Sequence, residues 1–220
     1  MSRRFSAAFV DISPLRESTP YRALWLGQLV SLLGTNMRFV AVAWQIFALT
    51  GSTVAVGLVG LVEVVPLIAF SILGGAIVDT SDRKRLIIVT QIGMMVTSVA
   101  LVVLAFSTDP SILWIYGVLA VGSAFSAVDR PARSALVPAL VSEHHIASTM
   151  ALRQILFHTT TIVGPAIGGV LISAFDVGAV YLVDAVSFTA VLIATRWIPS
   201  FPKVEQRHDT RLQTIKEGLL

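Results

Sequence analysis

Long apolar stretches broken by short polar intervals dominate this chain. Residues 39–62, 64–78, 86–108, 110–128 and 154–175 contain no Asp, Glu, Lys or Arg. Arg38, Glu63 and Asp184 are single charges set inside otherwise apolar runs. Turn signals punctuate the pattern at Thr50-Gly51-Ser52-Thr53, from Asp79 to Arg85, at Ser107-Thr108-Asp109-Pro110, at Asp129-Arg130-Pro131 and at Phe175-Asp176-Val177-Gly178. A membrane helix needs about 20 predominantly apolar residues. The pattern therefore predicts six spans, near 21–49, 54–78, 86–107, 111–128, 146–175 and 178–197. A membrane barrel is excluded, because its strands alternate apolar and polar residues. Residues 86–106 are instead apolar on nearly every face. The polar segment before the first span lacks the apolar core and small-residue exit of a cleavable signal.

Composition agrees with the pattern. The 220 residues are 55% hydrophobic and 13% charged, with a mean hydropathy of +0.82, whereas soluble domains carry about 25% charged residues. Disorder, which requires low hydrophobicity and high net charge, is excluded. The sequence has no cysteine, hence no disulfide framework, thiolate metal site or cysteine nucleophile. No metal site, no cofactor and no enzymatic constellation is assigned from sequence, and no phosphate-binding P-loop is present.

The charge distribution sets a topology. Fifteen of the sixteen Lys and Arg residues precede or open span one, lie between spans two and three, lie between or beside spans four and five, or close or follow span six; the other is Arg38. The alternate loops carry none. By the positive-inside rule, both termini are expected on the cytoplasmic side of the cell membrane. The pI of 9.7 thus reflects membrane topology, and no nucleic-acid partner is expected. The expected organisation is a cytoplasmic segment 1–20, a bundle 21–197 and a cytoplasmic linker 198–220. In the linker, Leu212, Ile215 and Leu219 share one helical face, and the sequence reads as cut off inside that element.

Several motifs carry further meaning. Gly74-Gly75 in span two and Gly168-Gly169 in span five are similarly placed late in the middle helix of successive three-helix groups, which run in opposite directions. An inverted three-plus-three repeat would produce this, as would chance among glycine-rich helix contacts. The loop Gly75-Ala76-Ile77-Val78-Asp79-Thr80-Ser81-Asp82-Arg83-Lys84 resembles the signature loop of the major facilitator superfamily, with Thr80 and Asp82 replacing the usual Arg and Gly. An ordinary positive-inside loop capped by Ser81 is the plain alternative. Gly164-Pro165-Ala166-Ile167-Gly168-Gly169 resembles that superfamily's fifth-helix antiporter motif, with Thr160 where a Gly is usual; simple helix packing through Gly164 and Gly168 would use the same residues. The run from Phe125 through Asp129-Arg130-Pro131-Ala132-Arg133 to Val141, with Leu24-Trp25-Leu26-Gly27-Gln28 and Thr50-Gly51-Ser52, resembles the exporter branch containing enterobactin and macrolide exporters.

The resemblance implies an all-α membrane protein, one half of a fold built from two six-helix bundles. It further implies a secondary active exporter of small amphipathic or siderophore-like molecules, working by alternating access and proton antiport. Partners would be the lipid bilayer, a small-molecule substrate, protons, and a C-terminal six-helix half or a second copy; residues 1–220 alone are expected not to transport. A non-transporting membrane scaffold is the alternative. The candidate gating loop is Gly75, Asp79, Arg83 and Lys84, and the helix-five motif is Gly164, Pro165, Gly168 and Gly169. Arg38, Glu63, Asp129 and Arg133 are candidate cavity residues, since charges inside a membrane usually face a bundle interior or water. Arg38 and Glu63 lie at similar distances from the turn at Gly51-Ser52, so they are expected to pair. Asp184 is expected near the outer end of span six, within reach of the headgroups. His158 reads as a packed, hydrogen-bonded residue, and the four tryptophans as interfacial anchors.

Overall fold

The structure, a computed structural model, describes residues 11–199, except the side chains at 72–76, 79 and 80. A short helix α1 (Ser13–Glu17) precedes six long ones: α2 (Thr19–Thr50), α3 (Thr53–Thr80), α4 (Arg83–Ala105), α5 (Ile112–Leu140), α6 (Ile146–Ala174) and α7 (Val177–Ala194). Each of α2 to α7 contains a stretch long and apolar enough to cross a membrane. The expected amphipathic segment after residue 200, like Gly75 and the Asp79 carboxylate, lies outside what the structure describes.

Local chemistry sets the boundaries. Ser18 caps α2 by accepting from the Tyr21 amide, and Gly51 ends it at φ 64°, a left-handed conformation that glycine adopts without steric cost. Ser52 then caps α3. Asp82, not Ser81, caps α4: its carboxylate accepts from the amides of Lys84 and Arg85, satisfying two of the orphan donors at the helix start. Asp129-Arg130-Pro131 does not end the fourth span. The helix runs through Pro131 and Pro138 to Leu140, because packed neighbours offset the single backbone hydrogen bond that each proline removes.

The packing has an internal symmetry. α2 packs on α6 and α7, α5 packs on α3 and α4, and α4 meets α7. Exchanging α2 with α5, α3 with α6 and α4 with α7 maps each of these contacts onto another of the set. Three crossings per repeat reverse its direction, so this is the inverted three-plus-three arrangement. One apolar core, including Ala41, Ile46, Leu101, Ile115 and Tyr181, fills one end of the bundle. Another, including Leu24, Ile87, Leu136, Leu152 and Val191, fills the end that holds α1. Between them in depth lie Ser31, Gln91, Ser98, Asp129 and Asp184, all buried.

Candidate functional site

Two charged networks occupy this polar layer. In the first, Asp184 of α7 is completely inaccessible and lies 3.5 Å from Arg38 Nη1 of α2. Ser98 of α4 donates to Asp184 Oδ2 at 2.6 Å, and Thr35 donates to Oδ1 at 3.4 Å. Arg38 Nη1 also donates to Ser98 Oγ at 3.3 Å. A buried carboxylate survives only when paired and hydrogen-bonded, and two other helices, α2 and α4, supply those partners here. Close backbone approach makes this possible. A Cβ at Gly34 would fall 2.5 Å from Ser187 Oγ and 3.0 Å from Asp184 Cα, and one at Gly27 would fall 3.0 Å from the Ala190 carbonyl oxygen. Gly27, Ser31 and Gly34 form a small-residue stripe along α2, the sequence signal by which this crossing could have been anticipated.

These contacts correct two expectations. Asp184 is not shallow: it sits mid-helix at the junction of α2, α4 and α7. Arg38 forms its ion pair with Asp184 and not with Glu63. Equal depth on adjacent helices did not decide the pairing, because helix rotation turns Arg38 toward α4 and α7. Glu63 is half-buried within electrostatic reach of Arg38 and Arg130. Its backbone oxygen accepts from Ser123 of α5 at 2.5 Å. Among the described residues its carboxylate has no hydrogen-bond or ion-pair partner.

The second network centres on Asp129 of α5. Arg133 Nε lies 2.5 Å from its Oδ2, while Thr90 and Gln91 of α4 donate to Oδ1 at 2.8 and 3.2 Å. Asp129 and Arg133 thus belong together, as their i,i+4 spacing allows. Gln91 is fully buried, and among the described residues its Oε1 has no hydrogen-bond partner. Of the loop candidates, Arg83 donates to the Ala135 carbonyl at 2.8 Å and Lys84 to that of Ile198 at 2.6 Å. The basic pair therefore ties the start of α4 to the ends of α5 and α7.

In α6, a Cβ at Gly164 would meet Asn36 Cβ at 2.5 Å and one at Gly168 would meet Met37 Cα at 3.1 Å, whereas Gly169 faces open space. Gly164 and Gly168 are thus where α6 crosses α2. His158 is exposed and edge-on to Phe157, so it is not packed in the bundle as expected. Trp44, Trp114 and Trp197 are exposed near span ends, while Trp25 donates to the Leu152 carbonyl at 3.3 Å.

Known proteins share this pattern. The family model described as transmembrane secretion effector matches residues 10–219. The chain is 29% identical over 203 residues to the uncharacterized MFS-type transporter YfiS of Bacillus subtilis (strain 168), covering 89% of this chain and 47% of that protein. It is 25% identical over 202 residues to macrolide efflux protein A of Streptococcus pyogenes, with 90% and 50% covered. It is also 25% identical over 209 residues to the enterobactin exporter EntS of Escherichia coli O1:K1 / APEC, with 95% and 50% covered. The chain therefore spans about half the length of the curated relatives it matches. Six apolar helices in a three-plus-three bundle, joined to this family match along nearly the whole sequence, make the chain a multi-pass membrane protein belonging to the transmembrane secretion effector family of major facilitator superfamily transporters.

Proposed function

We propose that this chain forms the N-terminal six-helix half of an exporter in the cell membrane, with both termini cytoplasmic. The exporter moves small amphipathic or siderophore-like molecules outward by alternating access, in exchange for protons. The observation that carries the reading is Glu63, a carboxylate inside a membrane span whose neighbouring cation is already engaged by Asp184. An acid so placed can take and release a proton without dismantling the Arg38–Asp184 pair. Intramembrane acids of this kind mark ion pathways. Two relatives named for macrolide efflux and enterobactin export support the cargo class.

The second half, either a C-terminal six-helix bundle or a second copy, would complete the substrate cavity. Asp79, Arg83 and Lys84 would hold one gating state, since Arg83 and Lys84 already bind the α3–α4 turn to α5 and to the segment after α7. Asp129 and Arg133 would stiffen α5 beside this gate.

The test uses inside-out vesicles carrying the complete transporter. An acid interior should drive uptake of a fluorescent amphipathic dye, and an uncoupler should abolish it. Glu63→Gln should lower uptake about tenfold or more, with Glu63→Asp retaining a larger part. Uptake that ignores the proton gradient and the Glu63→Gln change would overturn the reading. Orientation is checked separately by cysteines placed at Ser81 and Thr108, of which only the second should react with an impermeant reagent outside whole cells.

A further inference from the structure

We propose that Glu17, His144 and His145 form a binding site for a divalent transition-metal ion, zinc being the best match, that clamps the α1 segment to the α5–α6 turn. The three side chains come from two places: Glu17 ends α1, and the histidines lie on the 3-10 turn Glu143–His145. One potential ligand atom from each lies within 4.8 Å of the others. His145 Nε2 and Glu17 Oε2 are 3.0 Å apart. Zinc bonds of about 2.0–2.2 Å to nitrogen and oxygen, set tetrahedrally, place neighbouring ligands roughly 3.3 Å apart. That edge is almost formed. The remaining gaps close by rotation of Glu17 and His144, both exposed.

A second observation concerns how His145 is held. It is buried, and its Nδ1, the nitrogen facing away from Glu17, lies 3.7 Å from Asp11 Oδ2. Asp11 is fixed in turn by the Ser148 hydroxyl at 2.7 Å and the Ser13 amide at 3.0 Å. A carboxylate behind a histidine, with the opposite ring nitrogen turned toward the other candidate ligands, is the outer arrangement that orients metal-bound imidazoles. Two imidazoles and a carboxylate favour zinc and its neighbours over magnesium or calcium, which take oxygen ligands. Three protein ligands leave one position for solvent, and a cleft of about 450 Å³ borders Glu17 and His145.

The site bridges elements that are distant in sequence. Bound metal would join the segment leading into α2, at the start of the first three-helix repeat, to the α5–α6 turn of the second, reinforcing the bond from Ser18 Oγ to the Leu140 carbonyl. The inference is independent of the transport reading.

The experiment uses the full chain in detergent, purified without a histidine tag and stripped of metal, titrated with zinc chloride against a fluorescent chelator. The expected result is one zinc per chain with a micromolar or tighter Kd. His144→Gln and Glu17→Gln should each weaken binding about tenfold or more. Both positions are exposed, so these variants keep the fold, which their unchanged thermal midpoint without metal would verify. Zinc should raise the midpoint of the parent chain and leave that of the double variant unmoved, while millimolar magnesium should not compete. Equal zinc binding by parent and double variant would overturn the proposal. So would lowered midpoints in the variants without any saturable zinc binding, since the cluster would then be a metal-free latch.

Discussion

Asp184 and Asp129 are both nearly excluded from solvent and both face an arginine, but their partners come from different scales of the sequence. Asp129 finds Arg133 four residues along its own helix, with Thr90 and Gln91 added from the adjacent α4. That network joins only α5 and the helix just before it in sequence, the last helix of the first repeat. Asp184 draws Thr35 and Ser98 from 149 and 86 residues away, and its ion pair with Arg38 joins α7 to α2. It exists only when α2, α4 and α7, three helices far apart in sequence, are docked together. The first network stiffens a helix pair; the second reports assembly of the whole bundle.

This difference can be broken experimentally. The largest effect should follow Asp184→Asn or Arg38→Gln, because removing one member of a buried pair strands the other and costs about 3–5 kcal/mol. The double substitution should cost less than the sum of the two, as a double-mutant cycle on unfolding in mixed detergent would read. Additive losses would deny the pairing.

Asp129→Asn should cost less, about 1–3 kcal/mol. Arg133 can turn toward the bundle end, while Thr90 and Gln91 keep a hydrogen-bonding oxygen. A loss as large as that of Asp184→Asn would mean that the α4–α5 contact supports the bundle as much as the α2–α4–α7 junction does.

Glu63→Gln should change stability by no more than about 0.5 kcal/mol, within the range of substitutions away from packed networks. Its carboxylate has no direct partner among the described residues, so a large stability loss would identify a structural role and weaken its assignment to proton transfer.

The smallest effect belongs to Asp11. Its carboxyl, ordinarily near 3.8, is lowered to about 2 by hydrogen bonds first from Ser13 and then from Ser148. A lowered acid contributes stability above its unfolded pKa and loses it as pH falls through the folded value. Asp11→Asn should therefore shift the thermal midpoint equally at pH 5 and pH 8, with the parent and variant converging only below about pH 4. Convergence already at pH 6 would show that these hydrogen bonds do not hold the Asp11 carboxyl down.

The helices and their direction changes were legible because membrane insertion imposes a local rule: every apolar run must be long enough and hydrogen-bonded within itself. The turn at Gly51 and the pairing of Asp129 with Arg133 are local in the same way. The Gly164 and Gly168 stripe correctly marked a close helix crossing, but the sequence did not say that α2 lies beneath it. The plain alternative for the loop put the cap at Ser81, whereas Asp82, one residue on, accepts from the amides of Lys84 and Arg85. Proline at 131 was read as a stop, since propensity alone does not count the neighbours that stabilise an interrupted helix.

What tertiary structure alone decided is how each helix is rotated and which distant helix it meets. Hydrophobic periodicity fixes rotation in water, but a membrane helix is apolar on nearly all faces, so that signal is weak. Depth placed Arg38 level with Glu63, whereas rotation and the close approach at Gly34 gave it to Asp184. The sequence alone determined that six helices cross, where they turn and which carry charge. The folded bundle determined which charges meet, because pairing Arg38 of α2 with Asp184 of α7 depends on interhelical geometry that no local spacing encodes.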